Sequence, residues 1–230
     1  MTTLQIFFIL LTFVLPPLLA WAARRDGWVA FDGRVCFILG WLLLFLETID
    51  FVEKHFNGTL TLQSGLPMQL CDWTLFAAAA ALLLRSQIAF DLAYFWGLAG
   101  TSQALLTPAI GPDVGLWRIT SFLGIHAGIV IAVLYLLLSR GFRPRTRSLL
   151  HIFLGSEIYL AVALLINSLC GANYGFLSAK PLTKSMLDIL SDNHWMYILQ
   201  LNGLAFAFFA LLYVPWFIAD LIAVRRRPQP

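Results

Sequence analysis

Cys71 and Asp72 stand side by side at the start of an apolar run, in the stretch LPMQLCDW. A thiolate is a strong nucleophile, and a histidine can activate it. His126, on a later apolar run, is the candidate base. Gln103, Asn167 and Asn173 carry amides that can orient an imidazole or donate to an oxyanion. Glu47 and Asp50 are three apart, so they share a helix face. Lys180 and Lys184 offer positive charge to a phosphate. This inventory suits acyl transfer through a thioester. A second reading stands beside it, with Glu47, Asp50, His126 and Glu157 lining the route of an ion, proton or small solute. A third is a non-catalytic scaffold. Cys71 also has two plain readings, as a small packed hydrophobe or as a partner for Cys170. The three cysteines are too widely spaced for a disulfide framework or a zinc pattern. No metal and no cofactor is called for, and no lysine in the last run is available for a retinal Schiff base.

These residues need elements that carry them into an apolar layer. The chain has 230 residues, 60% of them hydrophobic and 12% charged. A soluble domain carries about a quarter charged residues. Mean hydropathy is +0.82. Runs of about twenty apolar residues recur along the chain, which marks a polytopic membrane protein without a soluble domain. Nucleic acid is excluded as a partner, because the basic residues sit at the ends of apolar runs. No alternating ten-residue strands appear, so the spans are helices and the fold class is all-α. Seven spans are expected, over residues 4–23, 34–52, 67–84, 88–108, 116–138, 148–170 and 196–224, in one domain covering 1–230. The first reads as an uncleaved helix, since its start carries no positive charge.

Lys and Arg placement sets the expected orientation. Arg24, Arg25, Arg34, Arg85, Arg140, Arg143, Arg145, Arg147, Arg225, Arg226 and Arg227 fall on one side. Lys54, Arg118, Lys180 and Lys184 fall on the other, eleven against four of the fifteen. The amino terminus is then outside and the carboxyl terminus cytoplasmic. Glu47, Asp50, Cys71, Asp72, Gln103, Asn167, Gln200 and Asn202 all lie in the outer half, as a polar cavity opening outward. If Pro67 opens its helix, Cys71 lies roughly 6 Å deep and His126, counted from Arg118, roughly 12 Å deep. Helix tilt is expected to close that difference. Ser121, Gly124 and Gly128 form a small-residue seam from which His126 points away. The outer loop 171–195 is expected to carry a short interfacial helix over 182–190.

LPMQLCDW, FWGLAGTSQALLTP, the histidine of GIHAGIV, NYGFLSAKP and HWMYILQL occur in that order. Together they resemble the YwaF-like bacterial integral membrane proteins, over about residues 65–201. That family is related to a eukaryotic transmembrane acyltransferase that remodels ether phospholipids. The resemblance implies acyl transfer carried by Cys71 and His126. Its motifs add Tyr174 and Asn173, from NYGF, to the supporting set of Asp72, Gln103, Glu47, Asp50, Asn167 and Lys180. After KP, this chain departs from the family pattern and reads SDNHW, with Asp192 and His194. The expected function is therefore a lipid acyltransferase with membrane phospholipids as partners, in a bacterial cytoplasmic membrane. A small-solute or ion carrier is the alternative.

Overall fold

The computed structural model describes residues 2–25, 28–108 and 115–225. All regular structure in them is helical. The α-helices are α1 (Thr3–Arg25), α2 (Trp28–Phe56), α3 (Leu70–Leu84), α4 (Gln87–Trp96), α5 (Ser102–Leu106), α6 (Leu116–Arg140), α7 (Thr146–Cys170) and α8 (His194–Arg225). A π-helical segment, Gly97–Thr101, joins α4 to α5 without a break. Short 3-10 turns at Tyr174–Phe176 and Met186–Ile189 interrupt the loop before α8.

α1, α2, α6, α7 and α8 are long and apolar enough to cross a membrane. α3 has 15 residues, about 22 Å of rise, against a hydrocarbon core of about 30 Å. It is packed inside the bundle. Thr74, Leu75, Ala78, Ala79, Ala81 and Leu82 are buried, so the alanine run lets its neighbours come close. α6 is the central helix, and its small-residue seam works as expected. A methyl group on Gly124 would meet Phe8 of α1, and one on Gly128 would sit 2.9 Å from Leu43 of α2.

The bundle has two chemically distinct ends. At the arginine end, Asp32 of α2 pairs with Arg140 of α6 at 2.5 Å and accepts the Tyr135 hydroxyl at 2.8 Å. Arg143 pairs with Asp220 of α8. Asp91 of α4, fully buried, is held by His151 Nδ1 of α7 and Gln87, each at 2.7 Å. At the opposite, acidic end, Asp50 pairs with Lys54 and with Arg118, each at 2.7 Å, and Glu53 lies 3.4 Å from Arg118. Arg226 and Arg227 lie outside the described residues.

Several boundaries differ from expectation. α2 begins before Arg34 and ends after Val52, because its charged flanks are paired with α6 and need not mark a helix end. α3 begins at Leu70 rather than Pro67. Pro67 and Met68 belong to the lead-in, where the Met68 carbonyl accepts the Tyr159 hydroxyl at 3.2 Å. The expected helix over 182–190 is reduced to Met186–Ile189. Ser185 and Asp188 close that one turn on each other, and the Lys180 ammonium takes the Leu190 carbonyl at 2.6 Å, with Leu190 extended.

Candidate functional site

Cys71 sits in the first turn of α3. Asp72 Oδ2 accepts the Gln69 N–H at 2.8 Å, which fixes where the helix starts. Asp72 Oδ1 takes the Cys71 thiol at 3.7 Å. The N–H groups of Leu70 and Cys71, two of the four that a helix start leaves over, have no acceptor among the described residues. The lead-in is tied to the loop after α7. Gln69 Oε1 accepts the Gly175 N–H at 3.0 Å. The Tyr174 hydroxyl donates to the Leu62 carbonyl at 2.9 Å and accepts the Leu66 N–H at 3.0 Å. Burial pushes that phenol above its ordinary range.

His126 is 5% exposed and stacks on Phe122, with ring centroids 4.0 Å apart. Its Nδ1 lies 2.7 Å from the Phe122 carbonyl. A carbonyl only accepts, so Nδ1 carries the proton and Nε2 of the neutral ring is left as the acceptor. No hydrogen bond joins Cys71 to His126; each bonds along its own helix. Their levels nevertheless coincide. Thr74 of α3 and Ile129 of α6 converge on Gly97, where an added Cβ would lie 3.6 and 3.3 Å from them. α3 and α6 run in the same direction, towards the arginine end. Cys71 and His126 are each three residues back from that shared level, about 4.5 Å along either axis. The depth difference expected from the sequence disappears, because α3 starts deeper in the bundle than α6.

The other candidates divide between this region and the scaffold. Glu47 and Asp50 lie about one turn apart on α2. Glu47 has no hydrogen bond or ion pair among the described residues, whereas Asp50 is spent on Lys54 and Arg118. Gln103 is half-buried on α5 with no side-chain partner among the described residues. Asn167 is buried and grips the Tyr174 backbone, donating to its carbonyl at 3.0 Å and accepting its N–H at 2.8 Å. Asn173 organises its own loop by accepting from Ser178 and Ala179. Lys180 is engaged by Leu190 and by Asp192 at 2.8 Å, which holds the Asp192 carboxyl below its ordinary range. Glu157 accepts from Asn202 at 2.8 Å. Cys71 and Cys170 are both free thiols.

Gln69 and Tyr159 were not among the sequence candidates. Gln69 carries a readable signal, an acidic residue three positions on, as in a helix-start box. Tyr159, which touches both the Met68 carbonyl and the Trp73 ring, carries none.

The family model described as the TMEM164 family matches residues 1–213. A protein of Treponema pallidum (strain Nichols), described only as an uncharacterized protein, is 31% identical over 183 residues, which is 78% of this chain and 70% of that one. No solved structure matches the chain.

Proposed function

This chain belongs to the TMEM164 family, and on that footing we propose that it moves an acyl chain between a phospholipid and a lysolipid. It is an integral membrane protein, and we place it in a bacterial cytoplasmic membrane as a single domain. In this reading α3 and the α4–α5 run cross along with the five long helices. That makes seven passes, with the acidic end outside and the arginine end in the cytoplasm.

The observation that carries the reading is Cys71 in the first turn of a buried helix, level with His126. In the first step, the Cys71 sulfur attacks the ester carbonyl of a phospholipid, and His126 Nε2 takes the thiol proton. The carbonyl becomes an oxyanion that the Leu70 and Cys71 N–H groups can receive. The ester C–O bond then breaks, and the departing lysolipid oxygen takes the proton from His126. In the second step, an acceptor hydroxyl loses its proton to His126 and attacks the thioester. The C–S bond breaks, and the thiolate recovers the proton. Asp72 is the thiol's partner between turnovers and holds the helix start. Because Cys71 and His126 are not bonded in this structure, the step requires the ring or the sulfur to turn when the lipid enters.

Two observations bear on the carrier alternative. Asp32 and Asp50 are each paired with an arginine, and Asp91 is hydrogen-bonded to His151 and Gln87, which leaves few free carboxylates for a path. Glu47, without a partner among the described residues, is the group a carrier would use. The test is turnover of labelled phospholipid by the purified protein in liposomes. Loss of transfer in Cys71→Ala and His126→Ala supports the enzyme, and full transfer in both rules it out. Solute or proton flux that survives Cys71→Ala but is lost in Glu47→Gln establishes the carrier.

A further inference from the structure

A groove of about 540 Å³ runs between α3, α4 and α7. Trp73, Phe76 and Ala77 of α3 form one wall, and Gly155 and Ile158 of α7 form the other. Its floor is α4, from Ile88 through Ala89 and Leu92 to Trp96. From Ser86 to Trp96 the floor extends about 15 Å, half of a hydrocarbon core of about 30 Å. That is the depth of one leaflet. The lining along this length is apolar apart from Ser86, and no side chain of the described residues fills it.

The two ends of the groove differ in charge. At the Trp73 end, the lining residues are apolar. At the other end, Arg85 caps α3 with φ +57° and is exposed beside the lining residue Ser86. Arg147, His151, Gly155 and Ile158 follow at four, eight and eleven residues. At 100° per residue they form one stripe about 80° wide on the face of α7 that lines the groove. Neither Arg85 nor Arg147 has an ion pair among the described residues, whereas nearby Arg143 is spent on Asp220. His151 is fixed by Asp91 through Nδ1, which leaves Nε2 as its remaining hydrogen-bonding atom. Arginines at helix ends are ordinary anchors of a membrane protein. Here Arg85 adjoins the lining residue Ser86, and Arg147 and His151 continue the α7 stripe of Gly155 and Ile158 beyond the lining itself.

We infer that this groove is a binding site for an anionic phospholipid. One acyl chain lies along α4, and the phosphate sits among Arg85, Arg147 and His151. Guanidinium groups suit phosphate oxygens by charge and by fork geometry. The site is separate from Cys71, which lies about 200° around α3 from Trp73 and so faces away from the groove. It therefore stands whether or not Cys71 is a nucleophile.

The experiment uses the full chain in nanodiscs or mild detergent, with spin-labelled phosphatidylglycerol and phosphatidylcholine of identical chains as probes. Phosphatidylglycerol is expected to be retained in preference. The Arg85→Gln/Arg147→Gln variant is expected to lower that preference roughly tenfold with an unchanged melting temperature. Ala77→Phe, or Ala89→Phe if the first does not fold, narrows the groove and should lower retention of both lipids. All variants are compared in a Cys71→Ala background, in which the probes are not turned over. Equal retention of the two lipids, or full preference in the double arginine variant, overturns the site. Full retention in a folded Ala77→Phe or Ala89→Phe protein places the bound lipid elsewhere and also overturns it.

Discussion

Gly175→Ala tests whether the loop after α7 holds the start of α3 in place. Gly175 has φ +65°, a left-handed conformation that costs an L-residue about 1–2 kcal/mol. An added Cβ would also collide with the Tyr159 hydroxyl. That hydroxyl bonds to the Met68 carbonyl in the α3 lead-in, and losing the bond costs about 1 kcal/mol. Together these destabilise the docked loop by about 2–3 kcal/mol, or roughly 30- to 150-fold in its opening equilibrium. The assay is the rate of Cys71 modification by a polar thiol reagent, in a Cys36→Ala/Cys170→Ala background. When opening limits access, the rate should rise by a similar factor. In a Tyr159→Phe background the struck oxygen and its bond are already gone, so there Gly175→Ala should add only the backbone part. An unchanged rate with an unchanged melting temperature refutes the reasoning. So does a rise that Tyr159→Phe leaves untouched.

Removing one partner of the buried Asp32–Arg140 pair, by Asp32→Asn or Arg140→Met, should cost about 3–5 kcal/mol. Replacing both with Leu should cost less than either single change, as read from thermal unfolding in detergent. Asn167→Ala removes both side-chain bonds to the Tyr174 backbone and should cost about 2 kcal/mol, with proteolysis rising first in the 171–180 loop. Asp192 is exposed, and Lys180 depresses its carboxyl from the ordinary value of 3.8. Its contribution is therefore complete above that value and is lost as pH falls below it, through the depressed one. Limited proteolysis with an acid-tolerant protease should show the 180–192 loop opening in that range, and Asp192→Asn should open it already at neutral pH.

The membrane class and the all-helical architecture were legible because composition and run length depend only on the chain and its apolar solvent. The small-residue seam of α6 was legible for the same reason, since Gly124 and Gly128 recur at helical spacing. The polar grouping at one end was also visible, as Glu47, Asp50, Cys71 and Asp72 fall at that end of their runs. α3 and the run that begins with α4 were less legible. α3 loses Pro67 to a lead-in fixed by Tyr159 and Gly175, which lie some ninety or more residues away in sequence. At Gly97, where the π-helical segment begins, Thr74 and Ile129 close in, a packing that local pattern does not encode.

Sequence alone determined which chemical groups enter the apolar layer, because an ionisable residue in such a run is conspicuous whatever it touches. Their pairing was decided only in three dimensions. Asp32 finds Arg140 and Tyr135, Asp91 finds His151, and Asp50 finds Arg118, each on a different helix. Cys71 turned to Asp72 and His126 to Phe122, though packing on Gly97 set the two at one level. Hydrogen bonds reach only about 3 Å, so their partners depend on helix rotation and register, which the packing of neighbouring helices sets.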